Sequence, residues 1–210
     1  MKRRKRYIFR KLFLFVLCLL LAAGSYYLWQ VKKQVTEVKR WEANVLEATT
    51  EYDIVAYKDV VLAIILTETK GDHIDLMQSS ESKYGETNQI TNSKESIDSG
   101  VEHLAEVIKE SLNQKTDVWT AVQAYNFGLN YINYTSSHGG KNSVELAESY
   151  SKNVLAPALG NSEGKQYRYL TPRALKYNRG HLYQNGGNFF YAEIVRWNLK
   201  VIQFVDKLPF

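Results

Sequence analysis

The carboxylate of Glu68 has the sequence context that general acid catalysis requires. It lies near the C-terminal end of a predicted helix, Tyr57 to Thr69, which is apolar on nearly every side. Burial disfavours the charged form of a carboxyl group, and so does the negative end of a helix dipole, so both effects raise its pKa. A carboxyl that stays protonated near neutral pH can donate a proton to a leaving group. The alternative interpretation is an exposed acid in a fraying last turn.

Further carboxylates and neutral polar groups follow this acid within thirteen positions. Asp75 and Glu81 each offer a second carboxylate, and a pair of carboxylates is what glycoside hydrolysis uses. Gln78, Ser79 and Ser80 supply neutral hydrogen-bonding groups of the kind that hold sugar hydroxyls and acetamides. The competing interpretation is that the acids are solvated and that the small polar residues form turns.

A tyrosine and an amide stand together where a later helix is broken by Gly128. At a cleft, Tyr125 and Asn126 can bind substrate, whereas elsewhere the same residues are only a helix end. The chain contains 15 tyrosines, many of them between 167 and 191, which fits a carbohydrate-lined groove. Aromatic residues at helical spacing are, however, more often part of the core.

The spacing of apolar residues predicts a mainly helical chain. An amphipathic pattern over residues 30–52 indicates a stalk or a first packing helix. Further helices are predicted at 93–112, 118–125, 144–155 and 189–204. Their expected N-caps are Ser93 or Ser96, Asp117 and Ser143. Residues 160–187 are expected to form a long ordered loop, and no segment shows the alternation of a strand.

The positive charge of the chain is concentrated near its N-terminus. The sequence has 27 Lys and Arg against 22 Asp and Glu, a net charge of +5, but seven of the bases and no acid lie within residues 1–29. Leu12 to Trp29 is uncharged, and a helix of that length extends for about 27 Å, close to the thickness of a hydrocarbon core. We therefore expect a cytoplasmic basic segment (1–11), a transmembrane signal-anchor (12–29), a stalk or first helix (30–52) and a helical domain (53–210).

The anchor predicts that the domain lies outside the cell, because basic flanks stay on the cytoplasmic side. The alternative is secretion after signal cleavage, since Ala22 to Ser25 provides small residues after an apolar run. Under both interpretations the domain lies outside the cytoplasm. Residues 30–210 hold 20 bases against 22 acids, so once the anchor is set aside the charge no longer favours nucleic acid as a partner.

Several kinds of chemistry are excluded by composition. Cys18, the only cysteine, lies in the anchor, which excludes a disulfide framework, a multi-cysteine metal site and a cysteine peptidase. The four histidines lack the spacing of a zinc motif, and no phosphate-binding glycine loop or serine elbow is present. We expect no metal and no cofactor.

Four segments resemble, in order, motifs of the goose-type lysozyme and lytic transglycosylase superfamily. They are Ile65-Leu66-Thr67-Glu68-Thr69, Asp75-Leu76-Met77-Gln78, Ala124-Tyr125-Asn126-Phe127-Gly128, and Tyr191 with Val195. Residues 75–82, with Glu95-Ser96-Ile97 and Gly100-Val101, are similar to the small lysozyme-like domain of Gram-positive cell-wall hydrolases. The resemblance covers about residues 42–208.

The resemblance implies a mainly α, lysozyme-like domain over residues 53–210 and roles for particular side chains. Glu68 matches the catalytic acid of the family. The positions that match its substrate cleft are Gln78, Tyr125, Asn126 and Tyr191. Thr69 stands where the transglycosylases usually have Ser, and Asp75 stands where they have Gly, so an additional carboxylate adjoins the motif.

The implied activity is cleavage of the β-1,4 bond between N-acetylmuramic acid and N-acetylglucosamine. In a muramidase, Asp75 or Glu81 would activate water, whereas in a lytic transglycosylase the muramoyl 6-hydroxyl attacks and no second carboxylate is needed. A non-catalytic wall-binding or scaffolding surface protein is a third interpretation. The implied partners are peptidoglycan glycan strands, the cytoplasmic membrane and proteins of the cell-wall or division machinery.

Overall fold

A computed structural model describes residues 2–80, 84–86 and 89–208, with the backbone alone for residues 2–6 and 8. The prediction of a mainly helical fold is confirmed. Ten α-helices lie within these ranges: α1 (Lys2–Lys39), α2 (Glu42–Glu51), α3 (Lys58–Glu68), α4 (Ser93–Asn113), α5 (Val118–Phe127), α6 (Asn130–Ser137), α7 (Val144–Tyr150), α8 (Ala156–Ala158), α9 (Pro172–Asn178) and α10 (Tyr191–Val205). A 3₁₀ turn at Val55–Tyr57 leads into α3, and a π-helical turn at Ser151–Leu155 joins α7 to α8. The short strands β1 (Gln166–Arg168) and β2 (His181–Tyr183) pair antiparallel, with Tyr167 opposite Leu182.

Helix α3 lies at the centre of the fold because its sequence leaves it no polar face. Every residue from Val61 to Leu66 is buried, with exposures of 6% or less. Helices α1, α2 and α10 pack around it. Each fully buried aliphatic side chain stabilises the folded state by about 1.5–3 kcal/mol, so this helix makes a large contribution to the stability of the fold.

Side-chain caps determine where several helices begin. The prediction of Asp117 and Ser143 as N-caps is confirmed, since each accepts a backbone N–H from its helix's first turn, at 2.9 and 3.1 Å. The cap of α4 is Asn92, not the predicted Ser93 or Ser96. Its side chain accepts the N–H of the third helical residue at 2.8 Å, the geometry that asparagine favours at this position.

The expectation of a long loop without strands over residues 160–187 is wrong. This stretch contains β1, α9 and β2. Helix α9 is capped by Thr171 and ends at Asn178, and the next residue, Arg179, has a φ of 66° that turns the chain back toward β2. Three-residue strands are too short to show the alternation by which strands are recognised in a sequence.

The C-terminal part of α1 belongs to the packed core. Val35 and Val38 are 1% and 0% exposed, and the chain turns at Arg40 and Trp41 before α2 begins. Lys39 also forms an ion pair with Asp206 at 2.6 Å, just beyond the end of α10. Residues 30–52 therefore form two packing helices joined by a tight turn.

The preceding part of α1 is exposed along its length, from Leu12 to Trp29. Within the described part of the chain, Phe9–Lys39 is the one segment whose length and composition suit a membrane span, with a mean hydropathy of 2.1. This long apolar N-terminal helix is consistent with a single-pass membrane protein.

Packing of α1 on the domain can be tested at Gly71, which has a φ of +80°. A Cβ there would lie 2.7 Å from the backbone nitrogen of Val38. Gly160 is a matched control, because its φ is +92° but a Cβ would meet nothing within 4 Å. We expect Gly71→Ala to lower the free energy of unfolding by about 2–4 kcal/mol and Gly160→Ala by about 1 kcal/mol. Urea unfolding of the full chain in detergent measures both, and equal losses would contradict close packing of α1.

Candidate active site

Glu68 is the last residue of α3, and the chain reverses direction directly after it. Lys70 and Gly71 both have left-handed backbone conformations, with φ of 59° and 80°. The hydroxyl of Thr69 donates to the carbonyl of Leu76 at 2.9 Å, which fastens the following loop to the helix end. The carboxyl of Glu68 thus lies at the junction of an apolar helix and a polar loop.

Tyr191 holds the carboxyl of Glu68 in place from the first turn of α10. Its hydroxyl donates to Oε1 of Glu68 at 2.6 Å, and its ring is only 3% exposed. Burial raises the pKa of Glu68, and the negative charge of Asp75 adds to the increase. The hydrogen bond from Tyr191 opposes these effects but does not cancel them, so the pKa of Glu68 remains raised.

The carboxylate of Asp75 has the opposite environment, because four donors surround it. Its Oδ1 accepts from the N–H of Ser79 at 3.0 Å and from the hydroxyl of Ser96 at 2.6 Å. Its Oδ2 accepts from the N–H and the hydroxyl of Ser80, at 3.2 and 2.7 Å. Burial raises the pKa of Asp75, but the hydrogen bonds outweigh burial, so its net pKa is lowered.

The two serine hydroxyls extend this network into the surrounding backbone. Ser96 Oγ accepts the N–H of Met77 at 3.0 Å, and Ser80 Oγ accepts the N–H of Ile90 at 3.1 Å. Asp75 therefore joins the loop after α3 to the first turn of α4. This arrangement favours a positioning role for Asp75, because the four donors leave its oxygens little capacity to accept a proton from water.

Three aromatic rings form a row beside the acid. Tyr125 and Tyr191 stack with centroids 6.3 Å apart and an interplanar angle of 15°. His103 of α4 also contacts Tyr125, with a centroid distance of 5.2 Å. The hydroxyl of Tyr125 donates to the carbonyl of Met77 at 3.0 Å, so the row also supports the loop that carries Asp75.

The end of α5 is held against the segment before α10 by two amide side chains. Asn126 Oδ1 accepts the N–H of Asn188 at 2.8 Å. The fully buried Gln123 donates to the carbonyl of Asn188 at 2.9 Å and accepts the N–H of Ala192 at 3.1 Å. Gly187 is required here, because a Cβ would lie 2.8 Å from the ring of Phe127. These contacts fix where α10 begins and hence where Tyr191 lies.

Glu68 lines a cleft with a volume of about 680 Å³. This is the size of site that takes a ligand of several rings. The lining residues are Glu68, Asp75, Met77, Gln78, Ser80, His103, Glu106, Tyr125, Asn126, Phe127, Gly128, Leu155, Leu159, Asn185 and Gly187. Within the described ranges, no three His, Cys, Asp or Glu side chains lie close enough together to hold a metal ion.

Most of the residues predicted from the sequence meet at this cleft. Glu68, Asp75, Gln78, Ser80, Tyr125 and Asn126 line it. Tyr191 reaches the site through its hydrogen bond to Glu68. Ser79 is 1% exposed and donates to the carbonyl of Ser96 at 3.0 Å, so it supports the loop. Glu81 lies outside the described residues.

Sequence reasoning missed the cleft residues on α4 and before α10. His103 and Glu106 line the cleft from α4, and Asn185 and Gly187 line it from the segment before α10. His103 and Glu106 are three positions apart, which places them on one face of a helix. That spacing is visible in the sequence, but only the fold shows that this face borders the cleft.

Comparison with known proteins agrees with the architecture. The family model described as Lysozyme-like matches residues 35–199. The pneumococcal vaccine antigen A homolog of Streptococcus pyogenes serotype M6 is 46% identical over 176 residues, covering 84% of this chain and 88% of that protein. The bifunctional muramidase/DL-endopeptidase CwlT of Bacillus subtilis is 34% identical over 116 residues, covering 55% of this chain and 34% of that protein.

A solved structure is also similar. The Staphylococcus aureus Mu50 protein described as similar to lipoprotein, NLP/P60 family, has a TM-score of 0.71 and 35% sequence identity. The match covers 78% of this chain and 52% of that chain, so this chain spans about half of that structure.

The structural importance of Asp75 can be tested by Asp75→Asn. The amide replaces one acceptor oxygen by a donor that faces other donors, so we expect a loss of about 2–4 kcal/mol at pH 7. Because the folded pKa of Asp75 is lowered, its contribution is present above the unfolded pKa, about 3.9, and is lost as pH falls through the folded value. Urea unfolding should therefore show the difference shrinking below about pH 4.

The exposed Asp72, three residues earlier, provides the control. Asp72→Asn should change the free energy of unfolding by less than about 0.5 kcal/mol at either pH. A loss for Asp75→Asn no larger than this control would contradict the assigned role.

Proposed function

Because the chain belongs to the lysozyme-like family, we propose that it is a membrane-anchored glycosidase that cleaves the MurNAc-GlcNAc β-1,4 bond of peptidoglycan. The observation that carries the proposal is Glu68: a carboxyl with a raised pKa, held by Tyr191, in a cleft lined by amides, hydroxyls and aromatic rings. These are the groups that bind sugars and protonate a glycosidic oxygen.

In the proposed reaction, Glu68 donates its proton to the leaving glycosidic oxygen. The bond to the muramoyl anomeric carbon breaks as an oxocarbenium-like centre forms. Water then enters from the face that the leaving sugar vacates, and the ionised Glu68 takes the proton from that water. The carboxyl ends the cycle protonated, and one water has been added across the bond.

We assign both proton transfers to Glu68 because of the surroundings of Asp75, the other predicted carboxylate that the structure describes. The four donors around Asp75 favour a support role. We propose that Gln78, Tyr125 and Asn126 contact the sugar, since they line the same cleft as Glu68. We also propose that Ser79 and Ser80 shape the loop instead of binding substrate, because they are 1% and 2% exposed.

The oxygens of Asp75 already accept four hydrogen bonds, which also favours a second candidate, the lytic transglycosylase, because that reaction needs no second carboxylate. There the muramoyl 6-hydroxyl attacks in place of water, Glu68 again takes the proton, and the product carries a 1,6-anhydro ring. The similarity to CwlT, a bifunctional muramidase/DL-endopeptidase, supports the muramidase instead. We propose the muramidase as the main function, and the product distinguishes the two.

The proposed topology places residues 1–11 in the cytoplasm and the domain on the cell surface. Support comes from the bases before the apolar segment and the exposure of Leu12 to Trp29. The proposed partners are glycan strands and the cytoplasmic membrane, with wall or division proteins as further contacts.

Glu68→Gln tests the acid directly. The amide cannot donate a proton to the leaving oxygen, so release of soluble fragments from purified peptidoglycan by the full chain should fall by roughly 10²- to 10⁴-fold. Glu106→Gln is the matched control in the same cleft, and it should stay within about threefold of the parent. Unchanged release by Glu68→Gln would exclude the assigned acid. If the parent binds glycan but releases no product, the non-catalytic interpretation is correct.

Mass spectrometry of the parent's products decides between the two reactions. Hydrolysis leaves a reducing muramic acid end, whereas transglycosylation leaves an anhydro end that is lighter by one water. Reducing ends would support the muramidase. Anhydro ends would contradict it and support the lytic transglycosylase.

Tyr191→Phe tests the control of the acid's pKa. Activity requires protonated Glu68, so it is lost as pH rises through the raised pKa of this group. Since the Tyr191 hydroxyl lowers that pKa, its removal should move the alkaline limb of the pH–activity profile to higher pH. The rate should also fall roughly tenfold, because the carboxyl is held less firmly. Tyr125→Phe removes a hydroxyl that donates to Met77 instead, and its alkaline limb should not move.

A further inference from the structure

Helix α1 passes from the apolar segment into the folded domain without a break. It is helical from Lys2 to Lys39. The apolar segment ends at Trp29, and α1 becomes partly covered by the domain from Gln30 onward. No flexible stretch therefore separates the proposed membrane span from the domain.

Several contacts fix the orientation of α1 on the domain side. Val35 and Val38 are buried, and Gly71 packs directly on the backbone of Val38. Lys39 pairs with Asp206 at 2.6 Å. The family match also begins at residue 35, within this part of α1. The end of the anchor helix is thus a structural element of the domain.

These contacts limit how far the cleft lies from the membrane. Nine residues of helix separate Trp29 from Val38, about 14 Å. Gly71 touches Val38, and the three residues from Gly71 back to Glu68 span at most about 11 Å. The backbone of Glu68 is therefore within about 30 Å of the outer end of the span, whatever direction the domain faces.

We infer that the substrate is glycan held at the membrane surface and not the body of the mature wall. This inference rests on the proposed function and names the substrate class of the same cleft. A rigid helix cannot extend as a coil would, so strands more than a few tens of ångströms from the bilayer are out of reach. The reaction that supplies this substrate is glycosyl transfer that polymerises strands at the outer face of the membrane.

The test uses the full chain in proteoliposomes with two glycan substrates at equal concentration. One consists of strands polymerised on the same vesicles from a lipid-linked disaccharide, so that they remain attached to lipid. The other is purified sacculi in suspension. A short soluble glycan oligomer measures the cleft itself, independent of the distance to the membrane.

The decisive variant carries a flexible Gly/Ser insert of about 30 residues between Gln30 and Val31. Such a segment adds an average reach of roughly 30 Å and leaves the buried valines in place. The matched control carries the same segment after Phe210. We expect the parent and the control to cleave vesicle-attached strands at least tenfold faster than sacculi. In the decisive variant this preference should fall at least fivefold, through faster cleavage of sacculi.

Equal preferences in the parent and the decisive variant, with all chains cutting the soluble oligomer, would overturn the inference and leave the proposed function standing. If no chain cuts the soluble oligomer, the proposed function fails and the inference fails with it.

Discussion

From Val61 to Leu66, helix α3 is apolar on every side, and so the rest of the fold must enclose this part of it. Helices α2 and α10 cover parts of its surface, and α1, the helix that carries the apolar N-terminal segment, covers another. Its last residue is Glu68. The same requirement therefore explains why the C-terminal part of α1 joins the core and why a carboxyl is partly removed from water at the end of α3. The apolar sequence of α3 thus accounts both for the packing of the core and for the position of the candidate acid.

The two carboxylates beside the cleft show how neighbouring groups acquire opposite properties. Glu68 accepts a hydrogen bond from Tyr191, but burial prevails over it, so the pKa of Glu68 is raised. Asp75 has four donors, and they prevail over burial, so its pKa is lowered. The negative charge of Asp75 also disfavours a negative charge on Glu68, so Asp75 helps to keep Glu68 protonated. The side chain of Asp75 thus both supports the loop and raises the pKa of Glu68.

Local patterns predicted much of this fold because their causes are local. The unbroken apolar run identified α3, and the caps Asp117 and Ser143 follow from side chains that bond their own helix. The cap of α4 was misplaced, because Asn92 competes with two serines nearby and Ser96 is used by Asp75. The hairpin and α9 were missed because three-residue strands have no readable period. The sequence alone does not indicate that His103 and Glu106 line the cleft, because this depends on how α4 packs in the fold.

Because α1 is one continuous helix, the number of residues in it determines how the domain is rotated about the helix axis. An α-helix turns by about 100° and advances by about 1.5 Å for each residue. One residue added between Trp29 and the buried Val35 would turn the entire domain about the axis of α1 and would move it by only about 1.5 Å along that axis. With the membrane anchor proposed above, the length of this short segment would therefore set the direction in which the cleft faces neighbouring molecules in the plane of the membrane.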